Sequence, residues 1–547
     1  WEAKDEKQES NQNEIDEQQE ITIESPILSN DVNKITVKIN EEDIDHSKQT
    51  VIGIIDPQEN DFTLNMWSNT NGADVKKILK RIDKLKLSDF SENLLFKVLF
   101  TNAYPLQTNL TSKEFLKIKI DWLIKNRRIR DLETLLKKNP EVGQETQAIK
   151  FLVNEYLSSA EIKMACEKVN FISQEVQNNY LDKFMIYCLI NNDRKEEAQL
   201  IFDLLKERGL KDNFFENKIN FLLGISEKTN QKILDNNLLN FYLSHITADN
   251  FNYVPNDKTD KYIWRYLSAA NLVKIEAIDD EDTILTYEKA ALDNSFKSEE
   301  IFNIYKQIVF NVSQLINATE IYKNLPNYKA RALIYQSILL SYDIERKLYL
   351  TFLLKDLFEK DQLLNVYSEE LTNILESIDP TEIPESYSEL VERNLKSNLD
   401  KAKIEFNNDI LHKSKILRHF IDENEKKART EKDFKAVYKK IKRNKKYFIS
   451  IKDIIVLESL ALDGFKIPKE LDYKSLAEQL TVPQNLEELA IQNQTGLVML
   501  KIIEIIGEDK VRDLDPETIY FLNSILNKLN LKKIRNSILS EVLPVRV

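Results

Sequence analysis

The chain has 547 residues, long enough for several domains or one elongated repeat array, and 42% of them are hydrophobic. No run approaches the roughly 20 apolar residues that a bilayer-spanning helix needs, so a helical membrane-embedded fold is excluded. The net charge of −13 is uneven, with −12 in residues 1–62 and −1 in all the rest.

Residues 1–20 are a Glu/Gln/Asn/Asp tract, too polar to offset the entropy of ordering it, and read as a flexible tether. Between 21 and 62 the alternation Ile35-Thr-Val-Lys-Ile39 and the β-branched run Val51-Ile-Gly-Ile-Ile55 predict short strands or extended segments lying along a helical body. Residues 1–62 are therefore expected to be an acidic tether followed by an extended segment. The first residue is Trp, which is compatible with a signal peptide or N-terminal anchor removed before it.

From residue 63 onwards the pattern is helical. Only 8 Gly and 12 Pro occur in the whole chain, and Leu and Ile recur at helical spacing. Val75, Ile78, Leu79 and Ile82 share a face; helices are expected at 88–100, 111–125, 131–138 and 144–157, the second opened by a Thr111–Glu114 capping box. The clearest stretch is 158–224. There Ile162, Ala165, Cys166 and Val169, then Leu181, Phe184, Met185 and Cys188, then Ala198, Ile201, Phe202 and Leu205 form successive apolar stripes. Asp193 with Glu196 is expected to cap the third helix, and Gly209 to end it in a left-handed turn. Cys166 and Cys188 fall on core-facing stripes of consecutive helices, as two buried thiols or as a disulfide. Without a Cys-x-x-Cys motif, a bond there would be a staple.

Further helices are expected at 236–247, around Trp264 and Tyr266, and at 284–292, 299–310, 328–341, 344–359 and 362–378. The acidic loop 276–282 lacks the alternation and glycine of a calcium loop. Pro380 and Pro384 mark the best boundary, dividing a helical array at 63–378 from a second helical region at 385–547. In that second region 426–446 holds 11 Lys or Arg against Glu431 and Asp433, a net of +9, with Phe434, Val437, Tyr438 and Ile441 as its apolar face. It reads as an amphipathic basic helix, its outer face either merely solvated or, through Lys435, Lys439, Lys442 and Arg443, a patch for an anionic partner: nucleic acid, an anionic membrane surface or an acidic partner segment. The acidic N-terminal tract, an internal counterpart, argues against nucleic acid. Helices follow at 451–462, 471–480 and 495–506, and Asp515-Pro516-Glu517 opens the last hairpin.

No catalytic or cofactor motif emerges. The eight glycines never cluster, so no phosphate-binding loop is expected. His412 and His419 stand two turns apart on one expected helix, with Glu405 two turns earlier; that spacing, without a third partner, predicts no metal site.

Helix-turn-helix units of roughly 30–45 residues, stacked without strands, are what α-solenoids are made of. Ala198 and Phe202, four apart in the second helix of the central hairpin, resemble the Ala and aromatic of the tetratricopeptide repeat. Met185 and Ile186 stand where that family has a small residue, no Pro follows Gly209, and no 34-residue period recurs. The set Met66-Trp67-Ser68, Leu94-Leu-Phe96 and the two cysteines resembles exported bacterial helical-repeat proteins, which implies a periplasmic location. The expected fold is thus all-α, a tetratricopeptide-like α-solenoid with a short extended N-terminal segment. The expected function is a non-enzymatic scaffold or adaptor in the bacterial cell envelope, binding a protein or peptide and no cofactor or small-molecule substrate. The alternatives are a helical polysaccharide-active enzyme and a cytoplasmic adaptor using the basic helix. Superhelical lytic transglycosylases are long and helical too, but their Glu-Ser catalytic motif and lysozyme-like C-terminal domain are missing here.

Overall fold

The computed structural model describes residues 51–106, 108–139, 145–172, 177–273, 281–395 and 404–546. The chain divides into the units Trp1–Gln49 and Thr50–Val547, and the described residues fall in the second. The acidic tract, the 35–39 alternation and most of the 276–282 loop lie outside them.

The described fold is all-α apart from one two-stranded antiparallel sheet, Ile404–Glu405 against Val545–Arg546. Consecutive helices pack in pairs: Thr146–Ser158 with Ile162–Val169, Asn179–Asn191 with Lys195–Glu207, and Asn327–Leu339 with Ile344–Lys360. The stripes that predict these helices are the faces they bury, with Ala165, Val169, Leu181, Phe184, Ala198 and Phe202 nearly inaccessible.

Local signals set the boundaries. Thr111 and Glu114 make both hydrogen bonds of the expected capping box at Ser112–Lys125. Gly209, at φ +94°, closes Lys195–Glu207: its amide bonds the Lys206 carbonyl and the Leu210 amide bonds that of Leu205, a Schellman ending. The expected cap at Asp193 is corrected. Asp193 adopts φ 58° and ends the preceding helix in the same way, its amide bonding the Ile190 carbonyl and the Arg194 amide that of Leu189. Aspartate tolerates this left-handed turn better than most residues. The next helix then starts without a side-chain cap, with Arg194 paired to Glu197.

The segment from Val51 to Ile55 runs extended along the helices as expected. The Ile54 amide bonds the Phe100 carbonyl at 2.8 Å, and the Asn102 amide bonds that of Ile55 at 2.9 Å. Lys119 and Lys138 donate to the Ile52 and Ile54 carbonyls. Ile52 and Phe62, assigned to the tether-and-segment region, are buried.

Two hydrophobic cores form, and they do not divide at 379–384. The first gathers buried residues from Ile52 to Leu267 together with Leu411 to Leu543. The second holds Trp264 and residues from Ile284 to Val391. Lys261–Ala269 joins them: Tyr266 packs on Phe241 and Tyr242, while Trp264 meets Tyr287 and Phe296 edge-on. The C-terminal helices pack back onto the first ones. Gly72–Ile82 and Asp89–Phe100 both lie on Thr495–Ile506. The Gly496 amide bonds the Met66 carbonyl, and a Cβ at Gly496 would come within 2.3 Å of the Trp67 ring. A linear solenoid makes contacts only between neighbouring units, so these sequence-distant contacts depart from that simple picture.

Candidate interaction surfaces

The basic helix spans Lys427–Arg443. Thr430, Phe434, Val437 and Ile441 are its buried residues. With about 3.6 residues per turn, Lys432, Lys435, Lys439, Lys442 and Arg443 project from the opposite side, and all five are exposed. Lys442 pairs with Glu470 at 3.3 Å on the flank, and Lys440 with Asp409 at 2.9 Å. Among the described residues no carboxylate pairs with Lys432, Lys435, Lys439 or Arg443. The four residues picked out by spacing therefore share one face.

Just beyond the helix, Phe448 is 81% exposed. Its neighbours hold it outward. The Tyr447 hydroxyl donates to Asp453 at 3.0 Å and accepts the Leu411 amide, while Ser450 caps Ile451–Leu462. Periodicity could not single out this ring, because an apolar residue in a loop reads as one more core contact.

Cys166 and Cys188 face each other across Ile162–Val169 and Asn179–Asn191 as a disulfide, with Cα atoms 5.5 Å apart and both side chains buried.

The histidines are not on one helix, which corrects that expectation. Glu405 lies in a strand, His412 in a 3-10 turn, and His419 in the short helix Arg418–Ile421. The hydrogen-bonded turn at Asn407–Ile410 and the Ser414 turn interrupt the periodicity. His412 contacts Asp453 at 2.8 Å, and the Ser450 hydroxyl also donates to that carboxylate. Burial pushes the Asp453 carboxyl up, but the hydrogen bonds from His412 and Ser450 outweigh it and leave it below its ordinary value. His419 contacts Asp463 at 2.8 Å, and Arg535 and Lys532 reach the same carboxylate. Burial again pushes upward and is outweighed by His419 and Arg535, so Asp463 titrates at about 2. Among the described residues no three His, Cys, Asp or Glu side chains could hold a metal.

Asp463 opens on a cavity of about 1100 Å3, also lined by Lys97, His419, Asp422, Glu425 and Lys533. A group ionised down to about pH 2 has no proton to give near neutrality, so Asp463 is unsuited to general acid catalysis. Glu425, the other buried carboxylate there, faces Arg429 at 3.5 Å.

A surface not anticipated from the sequence lies at one end of the second core. Val309, Val312, Ile316, Leu339, Leu340 and Tyr342 are exposed, Val309 at 92% and Tyr342 at 99%. Their backbones are fixed. Gln336 donates to the Ile308 carbonyl, Ser337 to that of Leu315, and Arg346 to that of Ile316. Asn311 with Gln314 caps the short helix Val312–Ile316, and Asp343 caps Ile344–Lys360.

Among the described residues no helix is long and apolar enough to cross a membrane. Compared with protein-family models, curated proteins and solved structures, the chain matches none.

Proposed function

We propose that the protein is a non-enzymatic helical scaffold that holds an apolar segment of another protein, acting outside the cytoplasm. The observation that carries this reading is the set Val309, Val312, Ile316, Leu339, Leu340 and Tyr342, six large exposed side chains at the same end of a firmly hydrogen-bonded helical unit. Single exposed apolar side chains are ordinary on a soluble protein, whereas several on segments tied together by hydrogen bonds are the kind of surface kept for recognition. The tetratricopeptide-like part of this reading rests on the helix pairs Thr146–Ser158 with Ile162–Val169 and Asn179–Asn191 with Lys195–Glu207. Surface presentation, with no bond made or broken, is the mechanism.

Site-specific photo-crosslinking tests it. A photoreactive residue at Val309 or Tyr342 in the full-length protein, expressed in its source cells, is expected to yield the same discrete adduct from both positions. The same probe at exposed Lys469, far along the chain, is expected to yield none. No adduct at either patch position, or the same adduct at all three, would remove the reading.

A further inference from the structure

The row formed by Lys432, Lys435, Lys439 and Arg443, ending at Phe448, has no part in the scaffold function proposed above. We infer that it is a peripheral docking face for an anionic lipid surface. Three observations choose this occupant. First, the row's four cations lack carboxylate partners among the described residues, in a segment, 426–446, of net charge +9 where Arg429, Lys440 and Lys442 are paired with Glu425, Asp409 and Glu470. Each Lys or Arg near an anionic leaflet adds to attraction, and the sum is strongly salt-dependent.

Second, the row is mostly lysine on the exposed side of a helix whose apolar side is already in the first core. Lysine is a hydrated point charge suited to diffuse attraction toward a plane of headgroups, whereas bidentate phosphate recognition favours arginine. Because the apolar face is occupied by the protein's own core, the helix lies against a surface and does not sink into it.

Third, the row ends in a single firmly held apolar tip. The exposed Phe448 follows Lys445 and Lys446 in the chain, held between the half-buried, hydrogen-bonded Tyr447 and the Ser450 cap. An aromatic ring next to cations is how a peripheral protein enters the headgroup region. Single-stranded nucleic acid would call for successive stacking platforms along the row. The one aromatic on that helix besides Phe434 is Tyr438, which is half-buried on the flank.

The test is co-sedimentation of the full chain with vesicles of neutral phosphatidylcholine, and with vesicles containing about one-third phosphatidylglycerol, at low and at high salt. Binding to the anionic vesicles is expected, falling steeply with salt, with none to the neutral ones. The triple variant Lys435→Glu, Lys439→Glu, Arg443→Glu is expected to lose at least about tenfold in partitioning. These side chains point away from the core, so its melting temperature should match the parent's. Phe448→Ser is expected to weaken partitioning several-fold while preserving its salt dependence, a readout that charge alone would not move. Absence of binding to anionic vesicles overturns the inference, as does undiminished binding by the triple variant. Salt-sensitive binding of a single-stranded oligonucleotide, without vesicle binding, would reassign the face to nucleic acid and likewise overturn it.

Discussion

At the scale of single residues, Lys119 does what a surface lysine does not. It is 2% exposed, its Nζ lies 2.8 Å from the Ile52 carbonyl and 4.6 Å from the centre of the Phe115 ring. No carboxylate pairs with it among the described residues. Burial pulls its pKa down from 10.5 to about 7. The cost of burying the charged amine is fully present below pH 7, where both folded and unfolded chains are protonated. It is relieved as pH rises from 7 toward 10.5, because only the unfolded chain still holds the proton. Relative to Lys119→Met, the parent's unfolding free energy should therefore climb by up to about 1.4 kcal/mol per pH unit across that window. Urea unfolding of both proteins at pH 7, 8 and 9 measures this; parallel curves would mean that Lys119 stays charged in the fold. The neutral amine still donates to Ile52, so the extended segment keeps its clip at alkaline pH.

At the scale of elements, the hairpin carrying the two cysteines is where covalent and packing constraints meet. Closing a loop across 22 positions should stabilise the fold by about 3 kcal/mol through the unfolded chain. Intact mass after alkylation in denaturant without reductant is expected to show no label. Cys166→Ala with Cys188→Ala should lower the unfolding free energy by about that amount. Two labelled thiols would mean that the bond is absent, and would remove the main support for an exported protein. Element positions were largely legible because they rest on local signals: the Thr111–Glu114 box, the Gly209 turn and the Asp515 cap all depend on residues within one turn of each other. Asp193 misled because one residue can serve either the helix before it or the helix after it, and a left-handed backbone decides which. Lys435, Lys439, Lys442 and Arg443 were legible because a helix with one buried side makes its opposite side predictable. The Val309–Tyr342 surface and Phe448 were not, since hydropathy does not tell an apolar side chain that finds a partner from one that does not.

At the scale of the molecule, burial draws the division differently from proline placement. The prolines at 380 and 384 mark a local turn, yet Val391 beyond it belongs to the second core, and the buried residues from Leu411 onward belong to the first. Sequence distance hides this closure, because nothing near Gly496 announces that its partner is Trp67. The closure is extensive. Arg81 pairs with Glu504, the Ser88 amide bonds the Gly507 carbonyl at 3.0 Å, and Lys533 reaches Gln58 and Asp61 near the start of the described chain. A fragment of residues 404–547 would thus leave Thr495–Ile506, whose Met499, Ile502, Ile503 and Ile506 are buried in the whole chain, without the Gly72–Ile82 and Asp89–Phe100 helices that pack on it. Exposing several such side chains at roughly 1.5–3 kcal/mol each exceeds the marginal stability of a domain that size. Expressed alone, that fragment should be unfolded or aggregated; co-expressed with residues 1–395, it should co-purify as a complex that melts in a single transition. A 404–547 fragment that folds alone, with a sharp melt unchanged by the other piece, would restore the independent second region that the prolines suggest. Gly496→Leu in the intact chain separates the two cases by another route: it drives a side chain into the Trp67 ring and should cost several kcal/mol only if the two ends of the chain share one core.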